Sequence, residues 1–125
     1  MSVRIVDASA LGALVFGEPK AEKISETLSD EPIAAPALLW FELASICLKK
    51  IKAHPSQKSL ILEAFELARN LNIEIIEVDH PAVIELAKET GLTTYDTSYL
   101  WLALELRGEL ITLDKKMQRA MKTRL

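Results

Sequence analysis

The chain has 125 residues, 50% of them apolar and 26% charged, which fits one globular domain with a sizeable core and excludes disordered, collagen-like and low-complexity classes. Fifteen basic against eighteen acidic residues leave a formal charge of −3, so a generally basic nucleic-acid coat is excluded. A lone cysteine, Cys47, excludes a disulfide-stapled secreted scaffold.

Val3 to Val6 is β-branched and too short for a helix, so it reads as a strand ending at Asp7. A short apolar helix follows from about Ser9 to Phe16, stopped by Gly17 and Pro19. Ala8 to Gly17 is not read as a signal peptide, because Asp7 precedes it and Gly17-Glu18-Pro19-Lys20 is no small-residue cleavage site. Ala21 to Leu28 reads as a second, more polar helix, and Ile33 to Ala35 as a short strand closed by Pro36. Ile33 to Phe41 is the longest apolar run, and Pro36 interrupts it, so no stretch approaches bilayer length. A soluble, cytoplasmic protein is expected.

Ala37 to Lys52 is helical and greasy, with Glu42, Ser45, Lys49 and Lys52 on one polar face. Pro55 suits the first turn of another helix, whose apolar stripe is expected to be Leu60, Ala64, Leu67, Ala68 and Leu71. Ile73 to Val78 reads as a strand, and Pro81 opens a helix that Gly91 closes. Asp96 to Arg107 is helical and apolar almost all round, hence covered on both sides. Gly108 ends it, Leu110 to Leu113 makes the last strand, and Lys115 onward returns to helix. Trp40, Phe41, Phe65 and Trp101 are spaced as core residues, Tyr95 and Tyr99 flank Asp96 and suit helix packing more than contact with a substrate, and Cys47 suits a small buried hydrophobe. His54 and His80 have no metal-spaced companion. Strands alternating with helices predict an α/β fold with a mainly parallel sheet, residues 1–125 forming a single domain.

In such a sheet the carboxyl ends of the strands and the amino ends of the helices share one edge, where open α/β folds bind ligands. Asp7, Glu42, Asp96 and Asp114 all fall at that edge, whereas Glu22, Glu26, Glu63, Glu66, Glu85 and Glu89 fall on exposed helix faces. Taken singly, Asp7 and Asp114 read equally as helix N-caps, Asp96 as part of the capping box Thr93-Thr94-Tyr95-Asp96, and Glu42 as a solvated residue. Together, four crowded carboxylates repel one another unless a cation neutralises them. With no histidine or cysteine cluster, the oxygen-only donor set suits Mg²⁺ or Mn²⁺ and phosphate chemistry. Five of the fifteen basic residues lie in the last eleven positions, and Lys115, Lys116 and Arg119 border the site where a phosphate backbone would lie. Dipole-complementing solvated charge is the plainer account of Lys122 and Arg124.

Ile5-Val6-Asp7-Ala8-Ser9-Ala10 resembles the opening strand and turn of PIN-domain nucleases. Leu92-Thr93-Thr94-Tyr95-Asp96-Thr97-Ser98-Tyr99-Leu100 and Leu110-Ile111-Thr112-Leu113-Asp114 resemble their closing half, and Glu42 falls where the family's helix glutamate belongs. Size and register are most similar to the VapC-type toxins of toxin–antitoxin pairs. The resemblance implies a three-layer PIN-like fold, with the first strand central in a parallel sheet of four to five strands. It also implies a pocket in which Asp7 and Asp96, completed by Glu42 and Asp114, hold Mg²⁺ or Mn²⁺. Ser9 and Thr112 match the family's hydroxyl positions, which orient ligands or water. The implied activity is metal-dependent endonucleolytic hydrolysis of RNA, in a homodimer blocked by a small antitoxin, with the greasy helices available as interfaces. Lys115 and Lys116 stand where the family often has a further acid, which argues against a second tightly held ion, and the chain ends at Leu125 where many relatives add an edge strand. An inert PIN-like interaction module is the main alternative. A phosphatase or receiver domain using Asp7 fits worse, because Ser9 occupies the position of a second aspartate and no acid pair ends the first strand.

Overall fold

A computed structural model describes residues 2–124, so Leu125 lies outside the described residues. The β-branched opening forms β1 (Arg4–Val6), followed by α1 (Ala8–Val15) and α2 (Ala21–Leu28). Next come β2 (Ile33–Ala35), α3 (Leu38–Ala53) and, after a single 3-10 turn over Pro55–Gln57, α4 (Lys58–Arg69). The closing half is β3 (Ile73–Ile75), α5 (His80–Thr90), α6 (Thr94–Glu105), β4 (Glu109–Ile111) and α7 (Lys115–Lys122).

The four strands pair in parallel in the order β3-β2-β1-β4, so β1 is interior, as expected. Helices α1, α2, α3 and α4 pack against one another, and α6 packs on β1, β4, α5 and α7, giving the helix–sheet–helix layering. Ile5, Val6, Ala35, Leu39, Leu43, Tyr99, Leu102 and Ile111 meet in the core, each large apolar side chain contributing about 1.5–3 kcal/mol by leaving water. Helix α6 is covered along most of its length, from Thr97 to Leu100 and at Leu102 and Ala103.

β3 and β4 end earlier than the sequence suggests. β3 stops at Ile75 rather than Val78 because its partner β2 runs into Pro36, which has no amide to donate; the last rung is Ile76 N to Ala35 O at 3.0 Å. β4 begins at Glu109 and stops at Ile111 because its partner β1 ends opposite it at Val6; the last rung is Asp7 N to Ile111 O at 3.2 Å, after which β1 gives way to α1.

Two apolar expectations are corrected. Phe41 lies 75% exposed, two positions from both Leu39 and Leu43 of the buried stripe Leu39, Leu43 and Cys47 and therefore on the opposite side of α3. On α4 the inward stripe is Ile61 and Ala68 flanked by Ala64 and Phe65, and Leu60, Leu67 and Leu71 face outward. Trp40 and Phe65 meet edge to face with centroids 6.5 Å apart, beside the core as expected.

Gly108 lets β4 begin against β1. A Cβ there would meet the Val3 carbonyl oxygen at 2.6 Å and the Ile5 side chain at 2.7 Å. Gly108→Ala is therefore expected to cost about 1–3 kcal/mol, read as a melting-temperature loss of roughly 5–10 °C. Gly91, by contrast, closes α5 in the left-handed conformation at φ 76°, the ordinary helix stop.

Candidate functional site

Asp7 is the single residue between β1 and α1 and is 5% exposed. Its Oδ1 accepts from Ala10 N at 3.0 Å, capping α1, and from Ser9 Oγ at 2.7 Å. Its Oδ2 accepts from the Thr112 hydroxyl. Thr112 Oγ1 accepts in turn from Asp114 N at 3.0 Å, and Ser9 Oγ accepts from Leu113 N at 3.0 Å. Asp114 Oδ1 caps α7 through Met117 N at 3.0 Å. Two hydroxyls thus fasten the ends of β1 and β4 to one carboxylate. Asp7 and Asp114 are both helix N-caps, and capping occupies only part of each carboxylate, so it leaves oxygen free for other contacts.

Asp96 reaches the same edge from the first turn of α6. The helix begins two residues earlier than expected, with Thr93 as N-cap accepting from Asp96 N at 3.1 Å, so the Asp96 carboxylate has no capping duty. Glu42, in the second turn of α3, is half-buried rather than solvated, and its Oε1 accepts from the Tyr99 hydroxyl at 2.6 Å.

Asp7, Ser9, Glu42, Asp96 and Asp114 line one pocket of about 400 Å³, closed by Ser45, Ile46, Tyr99 and Met117. All four predicted acids therefore converge, and Ser9 with them; Thr112 lies buried beneath Asp7. A larger groove of about 600 Å³ runs between α1, α3 and α4, and among the described residues that line it Glu18 is the only acid. Burial raises the carboxyl of Asp7 above its ordinary pKa despite its three donors, and repulsion from Asp96 adds to this. Burial likewise raises Glu42, with Asp96 and Asp7 repelling it and Tyr99 opposing the shift. Asp96 is raised by burial and by Asp114, against Thr93 and Lys116. The Tyr99 phenol is driven well above its usual range by burial and by Glu42.

Such a site disfavours its own negative charge and offers only oxygen donors, so its chemistry fits a hard divalent cation. Among the described residues no three acids stand close enough to grip an ion as they are; the pocket supplies the donors, not a finished cage. Lys115, Lys116 and Arg119 are exposed on α7, with Lys116 near enough to Asp96 to ease its charge. Lys116 and Arg119 border one adjoining cleft and Lys115 and Arg119 another, so the basic face flanks the acidic pocket without entering it. Sequence reasoning placed Tyr99 in helix packing and missed its hydroxyl contact. The available signal was its position three residues after Asp96, on the same face of α6.

The family model described as PIN domain matches residues 4–122. Ribonuclease VapC3 of Pyrobaculum aerophilum is 26% identical over 118 residues, spanning 90% of each chain. The crystal structure of PAE2754 from Pyrobaculum aerophilum superposes with a TM-score of 0.78 at 25% identity, covering 97% of this chain and 86% of the other.

Proposed function

The chain belongs to the PIN domain family, and from that premise we propose that it is a Mg²⁺- or Mn²⁺-dependent endoribonuclease, acting as one domain over residues 1–125. The observation that carries this reading is the convergence of Asp7, Glu42, Asp96 and Asp114 on one pocket whose burial and mutual repulsion call for a cation. These four carboxylates would hold the ion. Bound there, it supplies charge neutralisation and Lewis acidity for hydrolysis of a phosphodiester. Ser9 and Thr112 hold Asp7 in a fixed orientation, with both hydroxyl protons spent on its carboxylate. Lys115, Lys116 and Arg119 draw the RNA backbone along α7 towards the acids.

The likeness to a VapC ribonuclease supports a toxin-type ribonuclease role; on that reading the chain acts in the cytoplasm in a toxin–antitoxin pair, with a small antitoxin and a second copy of itself as partners. Among the described residues no helix is long and apolar enough to cross a membrane. Exposed Phe41, Leu48, Leu60 and Leu67 on α3 and α4 give protein partners apolar surface to cover. Those side chains also favour the second reading, an inert interaction module.

Cleavage of single-stranded RNA with Mg²⁺ or Mn²⁺ separates the two. No cleavage under any divalent ion rules out the nuclease reading, and cleavage that persists in excess EDTA rules out its metal dependence. Replacing Lys115, Lys116 and Arg119 together with glutamine should raise KM and flatten the salt dependence of RNA binding. At about 0.7 per phosphate contact on a single strand, the log–log slope should lose roughly 2. An unchanged slope would remove α7 from the RNA path.

A further inference from the structure

Glu42 stands apart from the other three acids. Asp7 and Asp114 are fastened by helix caps, and Asp96 follows a capped turn, but Glu42 lies mid-helix on a long side chain with no backbone partner. Its neighbour Phe41 points to solvent, and a glutamate there has three rotatable bonds with which to do the same. Among the described residues one hydrogen bond holds it in the pocket: that from the Tyr99 hydroxyl, of a residue 1% exposed, 57 residues distant in sequence and packed in the core.

We propose that Tyr99 is the positioning residue for Glu42: its hydroxyl pins Oε1, leaves Oε2 to the pocket, and so sets the affinity of the acidic site for a divalent cation. A phenol has a single proton, and here it goes to Glu42. Loss of the hydroxyl frees the carboxylate to leave the site while the ring keeps filling the core. The inference rests on the metal-dependent reading above and adds a residue whose hydroxyl acts through Glu42.

Thermal denaturation of the full chain across a Mn²⁺ titration tests it. In Tyr99→Phe the Mn²⁺ concentration giving half-maximal stabilisation should rise 10- to 100-fold, the range typical of partners that orient metal ligands. RNA cleavage lost at low Mn²⁺ should return as Mn²⁺ approaches saturation, which a disrupted core would not allow. In a Glu42→Ala background the further change of Tyr99 to phenylalanine should leave the midpoint where it is. A Tyr99→Phe midpoint equal to wild type, or cleavage that excess Mn²⁺ does not restore, overturns the proposal alone. Wild type indifferent to Mn²⁺ overturns the metal-dependent reading and the proposal with it. Should Tyr99→Phe fail to fold, the wild-type Tyr99 hydroxyl proton carries the test by NMR. Slow exchange and a shift on Mg²⁺ addition are expected; rapid exchange, or a resonance that Mg²⁺ does not move, is the overturning result.

Discussion

Asp96→Asn is expected to lower RNA cleavage by roughly 10²–10³-fold while leaving the metal-free melting temperature within about 4 °C of wild type. The loss follows from the several kcal/mol that a positioned metal contributes to phosphoryl chemistry, at 1.36 kcal/mol per decade of rate. The preserved stability follows from local structure. Thr93, not Asp96, caps α6, and it bonds the Asp96 backbone amide, which asparagine keeps. Loss of a negative charge in the first turn forgoes roughly 0.3–1 kcal/mol of helix-dipole stabilisation. Removing that charge also relieves its repulsion with Asp7, Glu42 and Asp114, which offsets the loss. One kcal/mol corresponds to about 4 °C for a domain of this size. Asp7→Asn is the poorer test, because Asp7 receives Ser9, Ala10 and Thr112 as well, and an amide group would face one of those donors with a second donor. Initial rates and melting curves on the same preparation decide the matter, and Asp96→Asn cleaving RNA as fast as wild type would refute the assignment of Asp96.

The acids were legible because local chemistry fixes where they fall. Asp7 and Asp114 mark strand-to-helix junctions, where a carboxylate both ends an apolar run and caps a helix, and parallel topology sends every such junction to one edge. Glu42 followed from helical spacing alone. What stayed hidden was pairing between distant segments. Leu60, Leu67 and Leu71 form as good a stripe on paper as Ile61, Ala64, Phe65 and Ala68, and only the direction from which α3 approaches α4 chooses between them. Phe41 misled for the same reason: a helix with apolar residues on two faces does not announce which one the sheet will cover. The end of β3 depends on Pro36, which follows the neighbouring strand, so no property of Ile73 to Val78 itself gives it away. Tyr99 is the instructive case. Its face was fixed by Asp96, yet its partner Glu42 comes from α3, 57 residues earlier in the chain. Capping is local and periodic patterns are local; a hydroxyl reaching a carboxylate across the fold is neither.

The metal-free protein should lose stability as pH rises through the acidic range, and the stabilisation given by Mn²⁺ should grow over the same interval. Asp7 and Asp96 are raised from an ordinary 3.8 and Glu42 from 4.5, so the folded chain holds these protons more tightly than the unfolded chain. Where the folded state binds more protons, unfolding free energy falls with increasing pH. Their contribution is therefore complete below the ordinary carboxylate values and disappears as pH climbs through the raised ones, the reverse of the usual acid-denaturation slope. Burial is the largest cause at all three sites, and the hydrogen bonds to Asp7 and Glu42 only moderate it. A divalent cation competes with those protons: at low pH the carboxyls are neutral and offer it little, whereas once ionised they bind it and their mutual repulsion is cancelled. An ion present at a hundred times its dissociation constant adds about 2.7 kcal/mol. At about 4 °C per kcal/mol that is roughly 10 °C in melting temperature once the acids are ionised, shrinking towards zero when they are protonated. Melting curves from pH 4 upward, in EDTA and in excess Mn²⁺, read both slopes at once. An increment that is the same at every pH would mean that the ion binds elsewhere, because no other arrangement of charges in the pocket lets Mn²⁺ ignore the protons it must displace.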